Sequence, residues 1–282
     1  MIVKLKIIIK NIWKNNLIMS LVNTDWVEKN INNIKLIDCS WHMPNEKRDG
    51  YKEYLEAHIE SALFFDLDKN SDQMTDLPHM LTNIGDWEKI VSKMGIVKDD
   101  EIVIYDNSDV LSSCRCWYNF IYFGHNDKLV HVLNGGLKKW KSENKPTTDI
   151  ILKINPTKYT GSERKNLVKN INQINENMNS EEFKVIDARS KERFEGKIEE
   201  PRKGLRSGSI PKSMCIPFRN LINDDNTFKN ENEILKVFKN TLGDEITTNI
   251  VFSCGSGVTA SVLALAYSLI NNKYKPTHLR WF

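Results

Sequence analysis

The hydrophobic positions of this chain fall into short apolar runs separated by amphipathic segments, and the pattern occurs twice. An apolar run that ends in aspartate covers residues 34–39, and residues 183–188 repeat it. A second pair of runs, at 101–106 and 249–253, follows at nearly the same distance in each half. Short apolar runs of this kind are typical of buried strands. The repetition predicts a duplicated domain.

Amphipathic helical patterns alternate with these strands, for example at residues 87–94 and 234–242. Alternation of buried strands and helices predicts an α/β fold with a parallel sheet covered on both faces. A stretch without periodicity, around Pro146 and Pro156, reads as the connection between the two halves. The predicted parts are an N-terminal extension 1–20, a first domain 21–146, a linker 147–170 and a second domain 171–282.

The stretch with the clearest chemistry is the end of the strand at residues 250–253. It runs into a small-residue loop with Cys254 at the bend and then into an apolar helix, residues 258–270. Gly255 and Gly257 would let backbone N–H groups converge on the sulfur, and a helix N-terminus favours an anion there. A thiolate is a nucleophile. Spacing alone leaves an inert buried cysteine as an equal alternative.

The heptapeptide Cys-Gly-Ser-Gly-Val-Thr-Ala, residues 254–260, resembles the active-site loop of the 3-mercaptopyruvate sulfurtransferases, two-domain members of the rhodanese superfamily. This resemblance implies two tandem rhodanese-like domains, each with a parallel five-stranded sheet flanked by helices. It also implies that Cys254 accepts a sulfur atom as a persulfide. A phosphatase-type loop would need arginine six residues after the cysteine, where Ala260 stands.

The resemblance also assigns the substrate-binding residues. Arg193 lies in an Arg-Phe pair and Arg202 in a Glu-Pro-Arg motif, and both are expected to bind the substrate carboxylate. The planar guanidinium group matches a carboxylate, although both arginines could simply be surface residues. The loop residues expected to line the substrate site are Gly255, Gly257, Val258 and Thr259.

Three further residues resemble a proton relay of the family: Asp68, His79 and the loop residue Ser256. His79, oriented by Asp68, would exchange a proton with the substrate through Ser256 while the C–S bond breaks. The alternative for His79 is a packing role in its loop.

The first half lacks a cysteine cradled by glycines in its corresponding loop. Cys114 and Cys116 flank Arg115, but no further ligands stand at a spacing that suits a metal, so no metal is expected. The resemblance implies no organic cofactor. Arg115 resembles the arginine of a family Ser-x-x-Arg motif and is expected to support the domain interface.

Charge and composition limit which partners and which cellular compartment are expected. The 40 basic and 37 acidic residues are spread along the chain with no basic block, which argues against nucleic-acid binding. Five cysteines without framework spacing favour a reducing compartment, and the cytoplasm is the expected location. Lysines interrupt residues 1–18, so no membrane span is expected there.

The end of the chain departs from the repeat. The first half closes with a strand, a glycine turn and a helix at residues 129–140, whereas the second half offers only residues 277–282. Reading the codons one base later would give Ile-Tyr-Asp-Gly, a closing strand. We expect a frameshift near Thr277 and a truncated second domain.

The resemblance implies an enzyme that moves sulfur from 3-mercaptopyruvate, through a cysteine persulfide, to a thiol such as thioredoxin or a small thiol, or to cyanide, and that releases pyruvate. Two alternatives remain. One is a thiosulfate sulfurtransferase, and the other is an inactive, truncated sulfur-carrier or interaction protein.

Overall fold

The computed structural model describes residues 20–201, 206–244, 246–271, 273–274 and 278–279. These residues form two parallel five-stranded sheets. The first sheet has the order β1-β5-β4-β2-β3 and the second the order β6-β10-β9-β7-β8, so the two sheets share one topology. The first-sheet strands are β1 (Leu21–Val22), β2 (Lys35–Asp38), β3 (Ala62–Phe64), β4 (Ile102–Tyr105) and β5 (Val130–Leu133). The second-sheet strands are β6 (Val168–Lys169), β7 (Lys184–Asp187), β8 (Met214–Cys215), β9 (Ile250–Ser253) and β10 (His278–Leu279).

Helices cover the sheets and connect their strands. Those of the first half are α1 (Thr24–Asn30), α2 (Gly50–Glu56), α3 (Ile84–Lys93), α4 (Ser113–Tyr122) and α5 (Gly136–Ser142). Those of the second half are α6 (Ile171–Ser180), α7 (Lys191–Phe194), α8 (Glu231–Leu242) and α9 (Val258–Ile270). Short 3-10 turns lie at Pro44–Glu46, Asp127–Leu129, Lys165–Leu167 and Phe218–Leu221. The predicted α/β class and the duplicated parallel sheets are confirmed.

Strand register shows how closely the halves correspond. Asp38 of β2 pairs with Tyr105 of β4. In the second sheet, Asp187 of β7 pairs with Ser253 of β9 in the same way. The loops that follow β4 and β9 therefore begin at equivalent positions, at the carboxyl edge where parallel sheets bind ligands.

The two halves share a hydrophobic core. Buried side chains of α4, such as Phe120 and Ile121, belong to the same cluster as Val262 and Leu263 of α9. These two helices pack against each other, and they follow the two equivalent loops. The apolar character of α9 on nearly all sides thus has a direct cause, because it is buried between the sheet of its own half and the other half.

Capping residues set where the amphipathic helices begin. Asn83 caps α3, and Asn230 forms a capping box with Glu233 at the start of α8. Both helices begin one turn before the predicted ranges 87–94 and 234–242. The apolar periodicity identified the buried face but missed the polar first turn, which the asparagine side chains stabilise.

Two expectations need adjustment. β6 lies inside the segment 147–170 that was predicted as a linker. β10 pairs with both β6 and β9, so the expectation that β9 lacks a closing neighbour is wrong. The expected extension 1–20 and the expected frameshift near Thr277 fall almost wholly outside the described residues. Within the described part of the chain, no helix has the length and apolar character needed to cross a membrane.

Candidate active site

The cysteine loop forms where β9 ends at the carboxyl edge of the second sheet. The Gly257 backbone N–H donates to the Cys254 sulfur at 3.1 Å. Gly257 has a φ of +81° and stands immediately before α9, a conformation that glycine adopts without strain. Only 2% of Cys254 is exposed. The sulfur thus lies at the N-terminus of a long helix, in contact with an amide donor.

Gly255 leaves space for a neighbouring side chain. Its φ is not in the left-handed region, so the turn itself does not require glycine there. A Cβ atom at Gly255 would instead lie 3.1 Å from Nη2 of Arg193. Its small size therefore leaves room for a cation beside the loop.

A cavity of about 230 Å³ opens next to Cys254. It lies between the two halves, since residues of both contribute to its wall. From the cysteine loop and α9 come Cys254, Gly255, Ser256, Val258 and Thr259; from the rest of the second half Ala188, Arg189, Ser190, Arg193, Glu200, Pro201 and Phe218; and from the first half Trp41, Met43 and Val110. The nucleophile candidate, one predicted arginine and three of the four predicted loop residues thus share one cavity, while Gly257 lies directly behind the sulfur.

Arg193 reaches the cavity as part of an ion-pair network. Its Nε and Nη2 donate to the two carboxylate oxygens of Glu200, at 3.1 and 2.5 Å. Arg189 donates to the same carboxylate at 2.7 Å and also pairs with Asp187. Burial opposes ionisation of Glu200, but the two arginines outweigh it and hold its pKa below the usual range. Glu200 therefore fixes the plane of the Arg193 guanidinium.

The second predicted arginine, Arg202, lies outside the described residues. Its role in substrate binding stays a prediction.

Asp68 and His79 come together as predicted. His79 Nε2 lies 2.8 Å from Asp68 Oδ1. The indole Nε1 of Trp41 donates to the other Asp68 oxygen at 2.9 Å, and the Trp41 and His79 rings make an edge contact. His79 is buried and has a φ of +55°. Ser256 lies on the cavity wall, and its proton exchange with His79 stays a prediction.

The sequence did not point to two residues of this site. Glu200 stands in the Glu-Pro-Arg motif, where an acidic residue close to Arg193 was an available signal. Trp41 follows β2 in a loop with no periodic pattern, and only the fold shows that it reaches both Asp68 and the cavity. Among the described residues, no group of histidine, cysteine or acidic side chains is placed to hold a metal ion.

Comparison with known proteins agrees with this geometry. The model of the rhodanese-like domain matches residues 23–143 and 170–279. The chain is 39% identical over 270 residues to the Arabidopsis thaliana thiosulfate/3-mercaptopyruvate sulfurtransferase 1, mitochondrial, covering 87% of this chain and 70% of that protein. It is 33% identical to the Mus musculus 3-mercaptopyruvate sulfurtransferase, covering 93% of this chain and 90% of that one.

Among solved structures, the crystal structure of SseA from Escherichia coli, described as a 3-mercaptopyruvate sulfotransferase with the rhodanese fold, superposes with a TM-score of 0.82 and 27% identity. The match covers 94% of this chain and 99% of SseA. Both halves of the chain match the domain model, and the relatives are aligned over most of their length. The chain therefore belongs to the rhodanese family, with two rhodanese-like domains in tandem.

Proposed function

We propose that this protein is a 3-mercaptopyruvate sulfurtransferase that works through a persulfide on Cys254. The observation that supports the proposal is that Cys254 and Arg193 line the same cavity. A thiol nucleophile beside a fixed cation suits a small substrate that bears both a transferable sulfur and a carboxylate. Two relatives, from Arabidopsis thaliana and Mus musculus, carry names with this substrate.

In the first step, Arg193 binds the carboxylate of 3-mercaptopyruvate through charge-assisted hydrogen bonds. Glu200 holds the guanidinium in plane, so little orientation entropy is lost when the substrate arrives. Arg202 is proposed as the second carboxylate ligand. Val258 and Thr259 line the same cavity and are proposed to contact the substrate, and the missing side chain of Gly255 leaves room for Arg193 beside the loop.

In the second step, the Cys254 thiolate attacks the substrate sulfur. The new S–S bond forms, the C–S bond breaks, and its electron pair passes to carbon as the enolate of pyruvate. The thiol proton of the substrate ends on that carbon, so the products are a Cys254 persulfide anion and pyruvate. His79, Asp68 and Ser256 are proposed to relay this proton. In the last step a thiolate or cyanide takes the outer sulfur and restores the Cys254 thiolate.

The acceptor and the location belong to the same proposal. We infer that thioredoxin, a small thiol or cyanide discharges the persulfide, because a thiolate or cyanide that reaches Cys254 through the cavity can attack the outer sulfur. All five cysteines are free thiols, which suits a reducing compartment, and the cytoplasm is our proposed location. A plant relative is named as mitochondrial, so fractionation of cells that express the full chain tests this point.

The main test compares donors. Purified protein is given 3-mercaptopyruvate or thiosulfate with cyanide as the common acceptor, and thiocyanate is measured. We expect kcat/KM to favour 3-mercaptopyruvate by about tenfold or more, since a tenfold difference needs only about 1.4 kcal/mol of selective transition-state binding. Thiosulfate is a dianion, and the loop positions Gly255 and Ser256 carry no cation for it. Preference for thiosulfate would support a thiosulfate sulfurtransferase instead, and no turnover of either donor would support a non-enzymatic role.

A further inference from the structure

Arg115 is a cation that the first half inserts beside the cysteine loop of the second. It lies on α4 and is only 5% exposed. Its Nη2 donates to the backbone carbonyl of His79 at 2.6 Å. Its Nη1 lies against Gly257, where a Cβ atom would come within 2.4 Å of it. One guanidinium thus contacts both the His79 segment and the loop that holds Cys254.

The Arg115 guanidinium lies over the Tyr118 ring, 5.6 Å from the ring centroid, but the described residues offer it no carboxylate partner. Its buried Nε has no hydrogen-bond partner among the described residues. Within the same part of the chain no carboxylate forms an ion pair with Arg115; the neighbours that favour its charge are Tyr118, Cys254, Cys39 and Cys116. Burial lowers the pKa of Arg115, although an arginine stays charged at neutral pH. A buried guanidinium without an anion is costly.

The neighbouring acidic groups differ in their ability to supply that anion. Burial raises the pKa of the Tyr118 phenol far above neutral, and it does the same for the Cys39 thiol. Cys116 is fully buried within α4 itself. Cys254 is the thiol of this group that lines the cavity and accepts the Gly257 amide. The anion that best matches Arg115 is therefore a thiolate or persulfide at Cys254.

We propose that Arg115 is a positioning residue of the first domain that provides the buried counter-charge for the Cys254 sulfur and fixes the cysteine loop against the His79 segment. The inference deepens the proposed function, since the persulfide of that reaction is the anion to be stabilised. It goes beyond a supporting role at the interface. It also gives the first domain, whose own loop lacks a nucleophile, an electrostatic part in the chemistry.

The contact also explains why residue 257 is glycine. A side chain there would meet the strain of a φ of +81° and would also push the guanidinium away from the loop. Arg115 can reach the backbone behind the sulfur because no Cβ atom occupies that space. Gly257 thus supplies both the amide donor and the room for the cation.

The test uses Arg115→Met, which removes the charge at similar length, and Arg115→Lys, which keeps it. The matched control is Arg164→Met, because Arg164 also donates its Nη2 to a histidine carbonyl, that of His125 at 3.1 Å, away from the loop. Alkylation of Cys254 by iodoacetamide is followed from acid to alkaline pH. This readout needs no sulfurtransferase activity, so it separates failure of this inference from failure of the proposed function.

We expect Arg115→Met to slow alkylation at pH 7 by about 10- to 100-fold and to move the midpoint of the pH profile upward. Arg115→Lys and Arg164→Met should stay within about threefold of the parent protein. With 3-mercaptopyruvate as donor, the loss should fall on kcat more than on KM, since the carboxylate site is intact. A folded Arg115→Met protein with the parent pH profile would overturn the inference.

A measurement on the unaltered protein guards against a variant that fails to fold. A buried counter-charge is screened little by salt, whereas exposed cations are screened strongly. The alkylation rate at pH 7 should therefore change by less than about twofold between about 0.05 and about 0.5 M salt. A steep fall with salt would assign the effect to surface charges and reject Arg115 as its source.

Discussion

The two loops that follow β4 and β9 occupy equivalent places, but their first residues differ in chemistry and in access to a cavity. In the first half this residue is Asp106, whose carboxylate accepts the Ser108 and Ser113 amides at 2.9 and 2.7 Å. In the second half it is Cys254, whose sulfur accepts the Gly257 amide and faces a cavity. Both strand ends supply amides to an acceptor. Only in the second is that acceptor a nucleophile that a substrate can reach.

A second contrast lies one strand away. Asp187 ends β7 and pairs with Arg189 at 2.7 Å, and Arg189 in turn holds Glu200 beside Arg193. The equivalent Asp38 ends β2 and accepts the backbone and hydroxyl donors of Ser40 instead. At equivalent backbone positions, the second half therefore has a network of ion pairs that extends to the site, and the first half has a small polar cluster around Asp38. The two domains share one fold, and a few side chains determine which of them holds the candidate active site.

The largest effect is expected from exchanging the nucleophile. Cys254→Ser should abolish sulfur transfer while the fold and donor binding persist, because a serine hydroxyl stays protonated where a thiol can ionise. Cys114→Ala is the matched change after the first loop, and Cys114 is fully buried. It should keep activity, although it can lower the melting temperature. Activity in Cys254→Ser, or loss of activity in folded Cys114→Ala, would contradict the assignment of the nucleophile to the loop after β9.

The contribution of the first half to proton transfer is tested by His79→Asn. Asparagine tolerates the positive φ of this position but lacks the imidazole. We expect kcat with 3-mercaptopyruvate to fall by about 10²- to 10⁴-fold, the usual range for a general acid or base. Asp66→Asn, in the same loop region, should leave kcat unchanged. If His79→Asn retains full kcat, the first half supplies no proton relay.

The cation of the second half is tested by Arg193→Ala. Loss of a charge-assisted hydrogen bond to the substrate carboxylate should cost about 1.5–3 kcal/mol, or roughly 10- to 100-fold in kcat/KM for 3-mercaptopyruvate. Thiosulfate has no carboxylate, so its use should suffer less. The exposed neighbour Lys191, changed to alanine, serves as the control. Equal losses on both donors would mean that Arg193 only maintains the shape of the loop with Glu200.

The last prediction concerns stability rather than activity, and it involves the small polar cluster around Asp38 in the first half. Burial, opposed by hydrogen bonds from Ser40, raises the pKa of Asp38 to about 7. In an unfolded chain an aspartate titrates near about 3.9, so the folded protein binds the extra proton and loses stability as the pH rises from about 4 to about 7. Above about pH 7 the Asp38 carboxyl is ionised in both states, so the free energy of unfolding falls no further. Asp38→Asn stays neutral, so it should gain on the order of 2–4 kcal/mol relative to the parent protein between pH 4 and pH 8.

Denaturant unfolding of both proteins at the two pH values measures this gain. Asp66→Asn provides the control for the loss of a carboxylate elsewhere in the same half. If the difference in unfolding free energy between Asp38→Asn and the parent protein is the same at both pH values, this carboxyl ionises normally despite its burial.

Much of the fold could be predicted from the sequence because it depends on local pattern. The apolar runs before Asp38 and Asp187 identified the repeated strands, and the small residues after β9 identified the bend at Cys254. Helix starts were missed because asparagine caps such as Asn230 lie outside the apolar periodicity. The closing strand β10 was missed because its pairing with β6 and β9 rests on backbone geometry rather than on an apolar run.

The site was predictable only in part. Cys254, Arg193, Asp68 and His79 could be named from the sequence because the short motifs around them resemble those of the family. Trp41 depends on distant parts of the chain meeting in space, and no short pattern encodes that. The partners of a side chain, unlike its identity, come from the packing of the two halves.

The most direct test of the central claim is the mass of the Cys254 peptide after the protein is treated with 3-mercaptopyruvate in the absence of an acceptor. We predict a gain of one sulfur atom on Cys254, one pyruvate released per sulfur bound, and no gain on the peptide that carries Cys114 and Cys116. Addition of cyanide should remove the extra sulfur as thiocyanate. Pyruvate release without added sulfur on Cys254, or added sulfur on the first-half cysteines instead, would contradict the account.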